Sequence, residues 1–87
     1  MSWRVEIENS AKSDLRKLKK SGLTNQFDKV LAQLVSNPYE PNQNFEKLTP
    51  PGDGKYSRRI NRQHRVVYTV DQSMKVVRIY SAFTHYA

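Results

Sequence analysis

Arg58, Arg59, Arg62 and Arg65 fall within eight residues of one another, and Lys55 precedes the first of them by three. Phosphate suits such a cluster, because a planar guanidinium fork donates two parallel hydrogen bonds where lysine offers only a point charge. The plainer reading is a solvated sheet face with a few exposed ion pairs, and clustering alone slightly favours it. Charge balance tips the choice the other way. Residues 47–87 carry eight basic side chains against two acids, Asp53 and Asp71, whereas residues 1–46 carry seven against six. Most of the net +7 therefore sits in the later half, and its natural partners are polyanions or an acidic protein. His64 and His85 add the only imidazoles, which titrate near neutrality. His64 lies where a turn meets the arginine-rich strands and reads better as a turn or core histidine. His85, in SAFTHYA, is as readily a frayed end as a proton donor, although Phe83 and Tyr86 flank it and could pin it. Glu46 is the acid beside the apolar pair Phe45 and Leu48, and most such loop glutamates only hydrate the surface.

Other chemistries find no residues. Without cysteine there is no disulfide, thiol nucleophile or cysteine zinc site, which suits a reducing, cytoplasmic setting. The opening MSWRVEIENSAK has no apolar signal core, and no stretch approaches the roughly 18 apolar residues of a membrane helix. Two histidines 21 residues apart, with no HExxH, EF-hand loop or Asp cluster, provide no metal ligand set. Three glycines cannot make a nucleotide-binding GxGxxG, and no GxSxG elbow exists. Neither metal nor cofactor is expected. What remains is a carboxylate, one or two imidazoles, several guanidiniums and aromatics. That set fits RNA cleavage, because the 2′-OH is a built-in nucleophile. The protein needs only a base for its proton, an acid for the departing 5′ oxygen, and cations for the charge on phosphorus. Tyr56, Tyr68, Tyr80 and Tyr86 could stack on bases, although strand tyrosines are more often half-buried packing groups.

The elements that must position these groups follow from periodicity. Trp3, Val5 and Ile7 alternate with charged residues, which predicts a strand over residues 2–8. Asn9 and Ser10 offer N-cap oxygens to a helix over residues 11–20, with Ala11, Leu15 and Leu18 as its apolar stripe and Ser21-Gly22 as its stop. Thr24 is the expected cap of a second helix carrying Phe27, Val30, Leu31, Leu34 and Val35, ended by Asn37-Pro38. Residues 37–54 hold four prolines and two glycines and should be irregular except for an extended piece at residues 45–48. Then KYSRRI, HRVVYTV and KVVRIYSAF, separated by short polar turns, predict an antiparallel meander. The expectation is one α+β domain over residues 1–87, ordered β-α-α-β-β-β, with both helices on one face of a twisted, mainly antiparallel sheet.

The block GKYSRRI at residues 54–60, HRVVY at residues 64–68 and the terminal His85-Tyr86 resemble the YoeB (Txe/YoeB) toxins of the RelE/ParE superfamily, over almost the whole chain. The resemblance implies a RelE-like fold and a type II toxin: a ribosome-dependent mRNA endonuclease that cuts the message in the A site beside ribosomal RNA. It also implies a YefM-like antitoxin as partner and frequent homodimers. Carried over by position, Glu46 is implied as general base, Arg65 as stabiliser of the transition state, His85 as general acid and Tyr86 as the group orienting the scissile nucleotide. Arg58, Arg59, Lys47, Lys55 and Arg62 are the candidate RNA contacts. The chain departs from the family pattern at Gln63, where an acid is usual, at Glu46-Lys47-Leu48-Thr49, where the family reads E-P-L-K, and in the insertion at residues 50–53. Two other readings stand beside this one: a non-catalytic inhibitor on the same scaffold, as the gyrase-directed ParE toxins are, and a plain RNA-binding module. The joint presence of Glu46, Arg65 and His85 argues against the first, and for the second the arginines alone suffice.

Overall fold

Alternation along residues 4–7 forms the first strand, and the computed structural model describes residues 3–48 and 54–85, with side chains as far as Phe83. The elements are β1 (Arg4–Ile7), α1 (Asn9–Lys20), α2 (Thr24–Ser36), β2 (Glu46–Lys47), β3 (Lys55–Arg59), β4 (His64–Asp71) and β5 (Val76–His85). They build one five-stranded sheet in the order β1-β5-β4-β3-β2. Three neighbouring pairs are antiparallel, and β1 runs parallel to β5 with Val5 opposite Val77. The α+β class and the meander are as expected. The short β2 adds a strand to the expected order, within the piece anticipated at residues 45–48. Thr49 and the insertion at residues 50–53 lie outside the described residues.

Both helices cover the same face. Ala11 and Leu18 of α1 and Phe27, Val30 and Leu34 of α2 pack against Val66, Tyr68, Val77 and Ile79 of the central strands. Each large side chain fully buried here contributes roughly 1.5–3 kcal/mol relative to exposure. The helix stops follow expectation, with Gly22 at φ +71 just past Ser21 and Asn37 capping α2. The starts do not. Glu8 and Leu23 occupy the N-cap positions without a side-chain cap bond, so Asn9, Ser10 and Thr24 lie inside their helices. Tertiary contacts explain the shift for α1. The Ser10 hydroxyl donates instead to the Tyr80 carbonyl of β5 at 2.7 Å, and the Glu8 amide donates to the Ile79 carbonyl at 2.9 Å. These bonds tie the start of α1 to β5.

The pairing of β4 with β5 shifts register twice, between Arg65 and Val67 and between Val67 and Tyr68. Such irregularities leave a ladder amide without its usual acceptor. Asp14 of α1 supplies one, its Oδ2 accepting the Ala82 amide at 3.1 Å. The last strand is thus steered by the first helix.

Candidate active site

Glu46 reaches the sheet at the end of a segment that an arginine holds in place. Arg58 is fully buried, and its guanidinium makes six hydrogen bonds. Nε donates to the Tyr68 hydroxyl at 3.0 Å. The two terminal nitrogens donate to the carbonyls of Pro38 and Glu40, both at 2.9 Å, and to Asn42 Oδ1 at 2.7 Å. Phe45 lies over the guanidinium with its ring centroid 4.8 Å away and stacks on Tyr56 at 5.5 Å. A cation is tolerated in such a place only because neutral oxygens satisfy every side of its fork. The chain then turns through Gln43 and Asn44, both near φ +55, and the Arg59 amide donates to the Gln43 carbonyl at 2.8 Å. Two consecutive left-handed residues cost energy, less for the asparagine, and the surrounding bonds hold them. They deliver Glu46 to β2.

The expected phosphate contact at Arg58 is therefore corrected: its donors are consumed by the loop. A signal for this exists in the sequence, since Tyr56 and Ile60 bracket Arg58 at two-residue spacing and all three share the covered face. Tyr68 is likewise corrected as a base-stacking surface, being fully buried with its hydroxyl donating to the Pro38 carbonyl at 2.7 Å. Burial pushes its ionisation up to about 12, outweighing the neighbouring Arg58.

On the opposite, helix-free face the pairing brings the remaining groups together. Glu46 stands opposite Ser57, and Arg59 opposite Arg65. Directly paired residues and residues two apart share a face, so these four side chains do. Arg65 donates to Glu46 Oε2 at 3.0 Å, a bridge that spans from β4 to β2 across β3. The arginine side chain is 16% exposed and the glutamate 51%, so the pair opens to solvent on its acidic side. Lys55 sits on this face too, opposite Thr69, and is exposed. Arg62 is exposed in the turn between β3 and β4. At the far end of the sheet Arg78 is balanced by Glu6, Glu8 and Asp71. Among the described residues no carboxylate pairs with Lys55, Arg59 or Arg62. Positive charge thus accumulates around the Glu46–Arg65 bridge.

Other expected residues are placed as follows. Lys47 pairs with Tyr56 and so projects from the face opposite Glu46. His64 is 9% exposed and stacks on Phe83 with centroids 3.8 Å apart, in keeping with a core histidine. The backbone of His85 closes the β4–β5 ladder opposite His64, one residue beyond the Thr84 that pairs with Arg65. Tyr86 lies outside the described residues. Among those described, no three His, Asp or Glu residues gather to hold a metal ion. Asp14 and the Asn42–Gln43 support leave no local pattern in the sequence, since their partners Ala82 and Arg58 stand 68 and 15–16 residues away.

Two helices on one face of such a sheet, with basic side chains on the other, give a fold shared with the E. coli DinJ-YafQ and Mycobacterium tuberculosis RelBE2 toxin-antitoxin complexes, at 16% and 21% identity. The chain belongs to the YoeB-like toxins of bacterial type II toxin-antitoxin systems, whose family model matches residues 9–86. It is similar to YoeB of Staphylococcus aureus, solved as a dimer, at 29% identity and TM-score 0.81, covering 99% of this chain and 100% of that one. The same toxin in a heterotetrameric complex with YefM gives TM-score 0.78 at the same identity and coverage. A YoeB/ParE toxin from Agrobacterium tumefaciens shares the fold at 21% identity and TM-score 0.83, covering 95% of this chain and 99% of that one. Among curated proteins no sequence matches. No helix of the described residues is long and apolar enough to cross a membrane.

Proposed function

We propose that this chain, acting as a single domain, is a ribosome-dependent mRNA endonuclease of the cytoplasm that cleaves message in the A site without a metal. The observation that carries this reading is the Glu46–Arg65 contact of 3.0 Å on a basic sheet face, open to solvent on its acidic side. A carboxylate and a guanidinium at that separation can serve one phosphodiester, the first taking the 2′-OH proton and the second meeting charge on phosphorus. The 2′ oxygen attacks phosphorus, the P–O5′ bond breaks, and the products are a 2′,3′-cyclic phosphate and a 5′-OH. His85 is the acid that protonates the leaving oxygen, and Tyr86 orients the nucleotide, as the family resemblance implies. Arg59, Lys55 and Arg62 contact the RNA backbone and ribosomal RNA through charge. A YefM-like antitoxin would neutralise this surface with an acidic segment that folds on binding, and the chain forms homodimers, as the S. aureus relative does.

Translation of a defined mRNA with the purified protein, followed by mapping of 5′ ends, tests the reading. Cuts inside A-site codons that Glu46→Gln, Arg65→Ala and His85→Ala each suppress are expected. A parent protein that arrests translation without cutting would remove the nuclease and favour an inhibitor on the same scaffold.

A further inference from the structure

The Glu46–Arg65 bridge crosses β3 where that strand presents Ser57 and Arg59 to the same face. Two polar atoms on those residues, Ser57 Oγ and Arg59 Nε, are shut off from solvent and have no hydrogen-bond partner among the described residues. Ser57 is completely buried. Arg59 is only half-buried, yet its Nε is closed over. A buried polar group left unpaired destabilises the protein and calls for a reason. Here two of them stand two residues apart on one strand, beside the Glu46–Arg65 contact that joins β2 to β4. One is a hydroxyl and the other a guanidinium N–H that can only donate. The ligand that satisfies both is an oxyanion.

We propose that Ser57 Oγ–H and Arg59 Nε–H form an oxyanion pocket for the scissile phosphodiester, covered in the resting protein by the Glu46–Arg65 bridge. This rests on the ribonuclease reading of the site. When phosphate arrives, Arg65 exchanges one anion for another, turning from the carboxylate to a phosphate oxygen. That exchange uncovers the pocket, a non-bridging oxygen accepts from Ser57 and Arg59, and Glu46 is released to act as base. The half-exposed glutamate makes the exchange easy, because bridges open to water are weak. Ser57 thereby becomes a catalytic residue whose hydrogen bond forms only when phosphate is bound. Arg59 gains a defined donor atom rather than a general attraction for RNA.

A residue of this kind trades stability for rate, and that pattern is measurable. Ser57→Ala removes an unpaired hydroxyl, so its Tm should rise by about 4–8 °C. In the ribosome-dependent cleavage assay its kcat should fall about 10²-fold or more, with KM changed less than threefold, as for loss of one oxyanion donor. In the protein alone, inorganic phosphate should shift the Arg59 Nε–H resonance, identified by its loss in Arg59→Lys, and Ser57→Ala should weaken that binding several-fold. A variant that cleaves within twofold of the parent, or whose Tm drops, overturns the pocket while leaving the nuclease intact. If the parent cuts no message, the nuclease reading fails and the phosphate titration decides alone: a shifted Arg59 Nε–H resonance upholds the pocket, and an unmoved one overturns it.

Discussion

Arg58 and Tyr68 donate to the same acceptor, the Pro38 carbonyl, at 2.9 and 2.7 Å, and Arg58 Nε donates in turn to the Tyr68 hydroxyl. This closed triangle, buried beneath Phe45, fixes the segment that leads to Glu46. Adjacent arginines in the sequence therefore have unlike tasks, one bracing the loop and the other facing the site.

Substitution should separate those tasks. Arg58→Ala leaves the carbonyls of Pro38, Glu40 and Asn42 short of a charged donor, each such bond worth about 1.5–3 kcal/mol. A loss of about 3 kcal/mol or more in urea unfolding is expected, with Arg58→Lys recovering only part because its ammonium lacks the fork. Arg59→Ala should change stability by less than about 0.5 kcal/mol, since among the described residues its side chain makes no hydrogen bond or ion pair, yet reduce cleavage. Equal destabilisation by the two would contradict this division.

Tyr68 makes stability depend on pH at the alkaline end. Its hydroxyl ionises at about 12 when folded, against an ordinary value of 10.0, because burial excludes the charged form. Below pH 10 both states keep the proton and its contribution is fully present. Between pH 10 and 12 only the unfolded chain ionises, so stability should fall by roughly 2 kcal/mol. Chemical unfolding across that range should show a shallower decline for Tyr68→Phe than for the parent. Parallel curves would refute the assignment.

The strands and helices were legible in the sequence because each has a regular apolar period over several turns or pleats. β2 was glimpsed only as an extended piece, since two residues carry no period and Glu46 and Lys47 are both exposed. The meander put Arg59 and Arg65 on facing strands. Their registration with Glu46 depends on the Gln43–Asn44 turn, which has no glycine to announce it. The start of α1 departs from the expected cap for another reason: the Ser10 hydroxyl bonds to β5 and not to its own helix end. Arg58 departs from its arginine cluster because it shares the covered face with Tyr56 and Ile60, a two-residue spacing that an arginine-rich run obscures.

Asp14 steers the last strand, and its removal should be felt there first. Asp14→Ala deprives the Ala82 amide of its acceptor at the register shift, at a cost of about 1–3 kcal/mol. Amide hydrogen exchange at Ala82 should quicken well beyond what the global destabilisation explains. Asp14→Asn keeps a side-chain oxygen and should restore most of the protection. If Ala82 exchanges at the parental rate in Asp14→Ala, the bond has no bearing on how β5 ends.

The Glu46–Arg65 bridge should matter far more to chemistry than to folding. Arg65 is mostly covered but Glu46 is half in water, and ion pairs open to solvent contribute about 0–1 kcal/mol once side-chain ordering is counted. Glu46→Gln keeps the shape and an oxygen to accept from Arg65, so unfolding in urea should shift by less than about 1 kcal/mol. It cannot take a proton from a 2′-OH, and loss of a general base lowers rate by about 10² to 10⁴. A double-mutant cycle with Arg65→Lys extends the argument. Their coupling in stability should be near zero, whereas their effects on cleavage should fall well short of additive, because both act on one phosphate. Additive losses in rate would mean that the two side chains serve separate steps, and that their contact in the resting protein has nothing to do with the reaction.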